Sequence, residues 1–238
     1  MSRVIVTREK LVAVANAIRT KSDTVKALTL DEMPQAIDGI QGGGSGTDDS
    51  LNAYFGKTLE DVDCDAAISI NPYAFYQNGG IKKVRFANAT TVGNNNFQTC
   101  ENLESVDLPM VTGDCGTNFC NGCKSLVSVN IPSVTELGNY AFQSCSVIKK
   151  IDLPSVQSIG NYCLRYTSKL EALILRYEGG VVAKGSGILN GSNIVSSSGT
   201  GYIYVPKSLL ETYKASSNWA SFESRFRAIE DYPEITGG

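Results

Sequence analysis

The sequence predicts an α+β protein: a solenoid of short strands stacked in parallel, preceded by a helical hairpin and closed by a strand-plus-helix cap. Three observations carry this. A unit of about 22 residues recurs four times between positions 81 and 169. Each unit opens with a two-residue alternation of apolar and polar side chains. Both flanking regions switch to helical spacing. At 238 residues and 42% apolar content, the chain is long enough to bury a sizeable core.

The units are IKKVRFANATTVGNNNFQTCEN, LESVDLPMVTGDCGTNFCNGCKS, LVSVNIPSVTELGNYAFQSCSV and IKKIDLPSVQSIGNYCLRYTSK, with lengths of 22, 23, 22 and 22. A partial unit precedes them with Phe75 in register, and another follows from Leu170. The shared pattern is L-x-x-V-x-L-P-x-V-x-x-I-G-x-x-x-F-x-x-C. Val129, Asn130 and Ile131 show the alternation of a strand with one buried face. Pro has no amide to donate and ends the ladder, and Gly138 or Gly160 makes a sharp turn that a side chain would obstruct. No unit can bury its own apolar stripe, so stacking at about 4.8 Å must join the stripes into one core.

The units resemble the BspA-type leucine-rich repeats, also called the Treponema-type class, found in bacterial surface proteins and phage virion proteins. The resemblance implies a leucine-rich-repeat solenoid used as a binding scaffold, with function on its outer face.

Residues 7–40 read as two short helices. Leu11, Val14 and Ile18 mark the apolar face of the first; the second opens with a capping box, Thr29 with Glu32, and buries Leu30, Met33 and Ile37. A hairpin this small has little core of its own, so these six residues are the candidates for attachment or oligomerisation. The stretch QGGGSGTDDS has the composition of a flexible tether. The expected organisation is therefore a hairpin at 1–41, a linker at 42–50, the solenoid at 51–178, and an irregular last repeat with a helical cap at 179–238. In the cap, Pro206 suits the start of the helix KSLLETYKAS, and Trp219, Phe222, Phe226 and Ile229 recur at helical spacing as a buried face.

Two further resemblances bear on function. REKLVAVANAIRTKSDTVKALTLDEMPQAIDGI is similar to a segment that starts tail-associated structural proteins of phages infecting Gram-positive, often gut, bacteria. GYIYVP with the later Trp219 resembles an ending common in proteins with this repeat, and AIEDYPEITGG is similar to the termini of phage-encoded members. Together they imply a virion structural protein of tail, baseplate or fibre, assembled in the host cytoplasm and displayed on the particle. It would bind other virion proteins through its hairpin and a host cell-surface glycan or protein through its repeats. A homo-oligomer is implied, with a trimer as the usual symmetry. The alternatives are a bacterial cell-surface adhesin of the same repeat class, which needs an export signal and a wall anchor, and an intracellular interaction module acting on host factors.

Composition narrows the chemistry. Net charge is −3 with 19% charged residues, which leaves no footprint for nucleic acid. No apolar run is long enough for a membrane helix, and the N-terminus lacks the h-region of a secretory signal. Histidine is absent, which removes the commonest general base and mixed Cys/His zinc sites. No phosphate-cradling loop or nucleophile elbow occurs, so the expectation is a non-enzymatic protein without cofactor or metal.

The outward strand positions are the candidate binding face: Lys83, Arg85, Ser105, Asp107, Ser128, Asn130, Lys150 and Asp152. Such positions are polar by default on a half-buried sheet, so a solvated face is the competing reading. Loop 179–201 is a second contact candidate, unless Val181, Ile188, Leu189 and Ile194 form an irregular last repeat.

Seven cysteines include a C-x-x-C pair, Cys120 and Cys123. Alignment places Cys100, Cys123 and Cys145 at one repeat position with Thr167 following, which makes them a structural ladder of small side chains. Phe75, Phe97, Phe119 and Phe142 form the parallel aromatic ladder. A zinc site would need Cys115, Cys120, Cys123 and a neighbour such as Cys100 to leave their slots. The 23-residue unit allows two registers. With Phe119 in the Phe slot, Asp114 takes an apolar position; shifted by one, Cys115 takes that position and Phe119 stands where the next unit has Ala141.

Overall fold

The computed structural model describes residues 60–63 and 67–237. The expected hairpin with Leu11, Val14, Ile18, Leu30, Met33 and Ile37, and the linker 42–50, lie outside the described residues. The remainder is a parallel β-solenoid of about eight turns. Its outer strands stack in chain order: Asp61–Asp63, Lys83–Arg85, Ser105–Asp107 and Ser128–Asn130 form one sheet, and Lys150–Leu153, Ala172–Leu175, Tyr202–Val205 and Phe226–Ala228 form a second. All pairings are parallel, with Val62, Val84, Val106 and Val129 in one register. A second column of two- to four-residue strands runs along another side: Ser69–Ile70 pairs with Thr91–Val92, and Gly113–Asp114, Val134–Leu137, Ser158–Ile159 and Ala183–Lys184 pair in series.

Alternation explains the outer strands. Val84, Val106, Ile151, Leu173 and Ile203 point inward and are at most 2% exposed, while their neighbours face out. They pack with Leu103, Leu126, Ile148 and Leu170, which open the units, into one continuous core. Glycine's role at Gly138 and Gly160 is closeness between turns: a Cβ on Gly138 would lie 2.4 Å from the Gly116 carbonyl carbon, and one on Gly160 would lie 2.6 Å from the Asn139 nitrogen.

Each turn closes through two left-handed residues. One column is Tyr73, Asn95, Asn118, Tyr140, Tyr162 and Gly187; the other is Gln77, Thr99, Gly122, Ser144, Tyr166 and Gly191, all with φ between 54° and 79°. Non-glycine residues in this region are disfavoured by about 1–2 kcal/mol each. The neighbouring turns over-determine the conformation through hydrogen bonds such as Tyr140 N–H to Asn161 O at 2.9 Å and Ser144 N–H to Arg165 O at 2.8 Å.

The irregular unit takes the shifted register. Gly113 pairs Val134 and Asp114 pairs Glu136, and the register shifts between Gly113 and Asp114, with Gly113 at φ 72°. Asp114 stays exposed and accepts a hydrogen bond from Gly116 N–H at 2.8 Å, while Cys115 is fully buried in the apolar slot. Phe119 therefore leaves the Phe slot, which Cys120 occupies: Phe97 N–H bonds Phe119 O, and Cys120 N–H bonds Ala141 O. The ring of Phe119 nevertheless reaches across to Phe97 at 5.5 Å and Phe142 at 5.8 Å, and Phe75 stacks on Phe97 at 5.4 Å. The aromatic ladder survives because a large–small exchange at adjacent positions preserves volume.

The C-terminal part departs from the expected helix. Leu210–Ala215 is α-helical, but Ala220–Arg225 is a 3-10 segment and Phe226–Ala228 is a strand that pairs with Tyr202–Val205. Trp219, Tyr213 and Phe226 form an aromatic cluster at 5.3–5.9 Å that seals the last core layer. Tyr213 and Trp219 tie this cap to the last repeat: Val182 N–H donates to the Tyr213 hydroxyl at 3.0 Å, and Trp219 Nε1 donates to Val182 O at 2.7 Å. Residues 179–201 form an irregular last repeat. Val182, Ile188, Leu189 and Ile194 are buried, Ala183–Lys184 joins the second strand column, and Val181 is half-buried.

Candidate functional site

The stack brings six of the eight expected face residues together in two rows. Lys83, Ser105 and Ser128 align in one, and Arg85, Asp107 and Asn130 in the other. The second row is internally satisfied. Arg85 NH1 lies 3.1 Å from Asp63 and its Nε 3.2 Å from Asp107, and Asn130 Nδ2 donates to Asp107 at 2.7 Å. These pairs are exposed, so they define the surface more than they stabilise it.

Lys150 and Asp152 do not belong to this open face. Beyond Lys150–Leu153 the outward positions become apolar: Ala172, Ile174 and Tyr204 form a second cluster packed against Tyr202, Ile229, Tyr232 and Ile235. The chain's final segment lies across the strands and takes the polar groups beside them. Arg176 makes two 2.8 Å hydrogen bonds to the Asp152 carboxylate and a third to Thr236 O, and Lys150 Nζ donates to Ile235 O at 3.3 Å. The Asp152 carboxylate raises the Arg176 pKa further, so the guanidinium stays charged. Among the described residues, the open strand face is thus the N-terminal half. Ile229 reads in the sequence as the end of a helical stripe begun at Trp219, which hides the role of residues 229–236 as a strap.

The cysteine column is polar in function as well as small. Cys100 Sγ donates to Phe75 O at 2.8 Å, Cys123 to Phe97 O at 3.0 Å and Cys145 to Cys120 O at 3.1 Å, each reaching back one turn. Thr167 keeps the slot but donates to Leu164 O in its own turn at 2.8 Å. Asn78 and Ser192 fill the same slot at the two ends and are also buried. Burial pushes the thiols of Cys100, Cys115, Cys120 and Cys145 far up, and that of Cys163 up to about 12. All six described cysteines are free and buried, which makes them poor nucleophiles. Among the described residues no three His, Cys, Asp or Glu side chains converge as metal ligands would. No helix among them is long and apolar enough to cross a membrane.

The side carrying the left-handed turns holds what sequence reasoning missed. Tyr140 and Tyr162 stack at 5.5 Å with ring planes 12° apart, and the Arg165 guanidinium lies 5.4 Å from the Tyr162 ring and 4.4 Å from that of Tyr166. Asparagine side chains bridge successive turns beside them, with Asn161 N–H donating to Asn139 Oδ1 at 2.7 Å and Ser186 N–H to Asn161 Oδ1 at 2.8 Å. The available signal was the aligned G-N-Y triplet at 138–140 and 160–162.

Residues 67–182 match the BspA type leucine rich repeat region in six copies. The matched range extends beyond the four full units into the partial units on either side. No curated protein matches the chain. The repeats mark a module for protein interaction or adhesion.

Proposed function

We propose that this chain is a non-enzymatic virion structural component of a tail, baseplate or fibre, which holds its repeat domain out for contact with the host surface. The observation that carries the reading is the joining of a phage-tail-like N-terminal segment to a repeat array through a Gly/Ser stretch. The six copies of an adhesion-type repeat support the outer half of it. Assembly through residues 1–41, as a trimer or on another virion protein, multiplies weak polar contacts on the particle. Mass spectrometry of purified particles tests the reading: peptides of this chain at a stoichiometry matching other tail proteins are expected. Their absence from particles, with the chain present in the host lysate, overturns it in favour of an intracellular interaction module.

A further inference from the structure

We propose that the side of the solenoid carrying Tyr140, Tyr162, Arg165 and Tyr166 binds an acidic glycan, with Arg165 taking the anionic group. The inference rests on the adhesion reading and gives it a location and a ligand class.

Arg165 is set apart from the other described arginines. Arg85 and Arg176 are paired with carboxylates, and Arg225 and Arg227 donate to backbone carbonyls. Arg165 has no carboxylate or carbonyl partner among the described residues. Its one hydrogen bond goes to the Tyr166 hydroxyl at 2.6 Å, and its Nε is buried without a partner. One turn earlier, at the equivalent position, Gln143 Oε1 is also buried and unpaired. The two tyrosine rings hold the guanidinium in place, so little side-chain freedom remains to be lost on binding.

The surroundings favour an anion. No Asp or Glu occurs from Leu137 to Ile151 or from Leu153 to Leu170, so these two turns bring no carboxylate to compete for the guanidinium. Hydroxyl and amide groups surround it. The Tyr140 and Tyr162 hydroxyls take no partner from the described residues, and Asn139 and Asn161 are exposed. Groups of this kind hydrogen-bond polyols.

The tyrosines occupy costly positions. Tyr140, Tyr162 and Tyr166 all sit at φ between 54° and 61°, in columns that also hold Asn95, Asn118, Gly122, Gly187 and Gly191 beside Tyr73, Gln77, Thr99 and Ser144. Asn95 and Asn118 show that the turn closes without an aromatic ring. Single-stranded nucleic acid fits less well. A face of each ring is already occupied by its neighbour or by the guanidinium, which leaves little for base stacking, and one arginine cannot track a phosphate backbone.

The test uses the full chain and titration calorimetry with polygalacturonate, dextran and polyuridylate. Polygalacturonate is expected to bind, dextran to bind more weakly, and added salt to weaken the acidic glycan alone. Arg165→Gln is expected to reduce affinity for polygalacturonate at least about tenfold, the effect of losing one charge-assisted contact. Tyr140→Asn with Tyr162→Asn, which installs the residue of Asn95 and Asn118, is expected to weaken binding with the melting temperature held or raised. Lys207→Gln in the C-terminal cap, where the ammonium pairs with Asp231, is expected to leave affinity unchanged. Equal loss in Lys207→Gln, full binding by Arg165→Gln, equal affinity for dextran, tighter binding of polyuridylate, or no binding of polygalacturonate each overturns the inference. Adhesion to host cells separates the two claims. If wild type and Arg165→Gln adhere equally, the inference fails and the adhesion reading stands; if neither adheres, that reading fails.

Discussion

Phe119 and Phe142 meet edge to face at 5.8 Å although their backbones stand one position out of register. Cys120 occupies the slot that Phe142 fills one turn later, and Phe119 occupies that of Ala141. Phe119→Ala should therefore destabilise the fold by about 3–5 kcal/mol, as a fully buried ring lost from a packed ladder. The double variant Phe119→Ala with Cys120→Phe restores the pattern of the following unit and should recover most of that loss. Urea denaturation of the three proteins checks it, and a double variant no better than Phe119→Ala would contradict the register.

The thiols make stability fall in alkali. Burial raises the folded pKa of Cys100, Cys115, Cys120, Cys145 and Cys163, so their stabilising effect is complete below the unfolded value and fades as pH climbs toward the folded one. The unfolded chain loses these protons first, so each thiol removes about 1.4 kcal/mol per pH unit above roughly pH 8.5. The melting temperature should be flat from pH 7 to 8 and drop steeply from pH 9 to 10. Cys163→Val should make that drop shallower. In native protein at pH 8 the six described cysteines should stay silent to a thiol reagent and react on unfolding.

The left-handed columns give a paired prediction. Ser144→Gly relieves a φ of 60° and should stabilise by about 0.5–1 kcal/mol. At the same slot one turn earlier, Gly122→Ala should cost about 1–2 kcal/mol, since φ is 79° and the new Cβ would lie 3.2 Å from Thr99 Cγ2. Gly138→Ala should cost about 3 kcal/mol through collision with Gly116. Thermal denaturation orders all three.

Truncation after Ala228 should uncover Ala172, Ile174 and Tyr204 and leave the Arg176–Asp152 pair without its Thr236 partner. The shortened chain should remain folded, bind a hydrophobic dye and self-associate, by dye fluorescence and light scattering. A truncated chain that stays monomeric and dye-silent would show the strap covers nothing of consequence.

The repeat was legible because its chemistry is periodic: alternation at Val84, Val106 and Ile151 dictates strands, and the stacked backbone demands Gly138 and Gly160. What escaped were relations that period alone does not encode. Asp114 and Cys115 fitted two registers until the register shift at Gly113 decided between them. Trp219, Phe222 and Phe226 have helical spacing, yet Phe226 belongs to a strand because Tyr202–Val205 offers an edge that needs a partner. Lys150 and Asp152 have the sequence signature of Ser128 and Asn130, and only the strap, which meets Lys150 85 residues later, distinguishes them. The turn-side cluster was missed because Tyr140 and Arg165 sit at positions where the pattern tolerates any residue.

The strap also sets where the array is free to change length. Residues 229–236 are tied to fixed partners at Lys150 and Arg176, so a 22-residue unit inserted between these two would move the anchors apart. Before Lys150, among the described residues, each turn bonds only to its neighbours, and a duplicated unit would slot in with every backbone partner supplied. A change in copy number should therefore be tolerated best in the N-terminal half, the half whose strand face no described residue covers. Reach and surface chemistry can diversify there while the closing end stays constant.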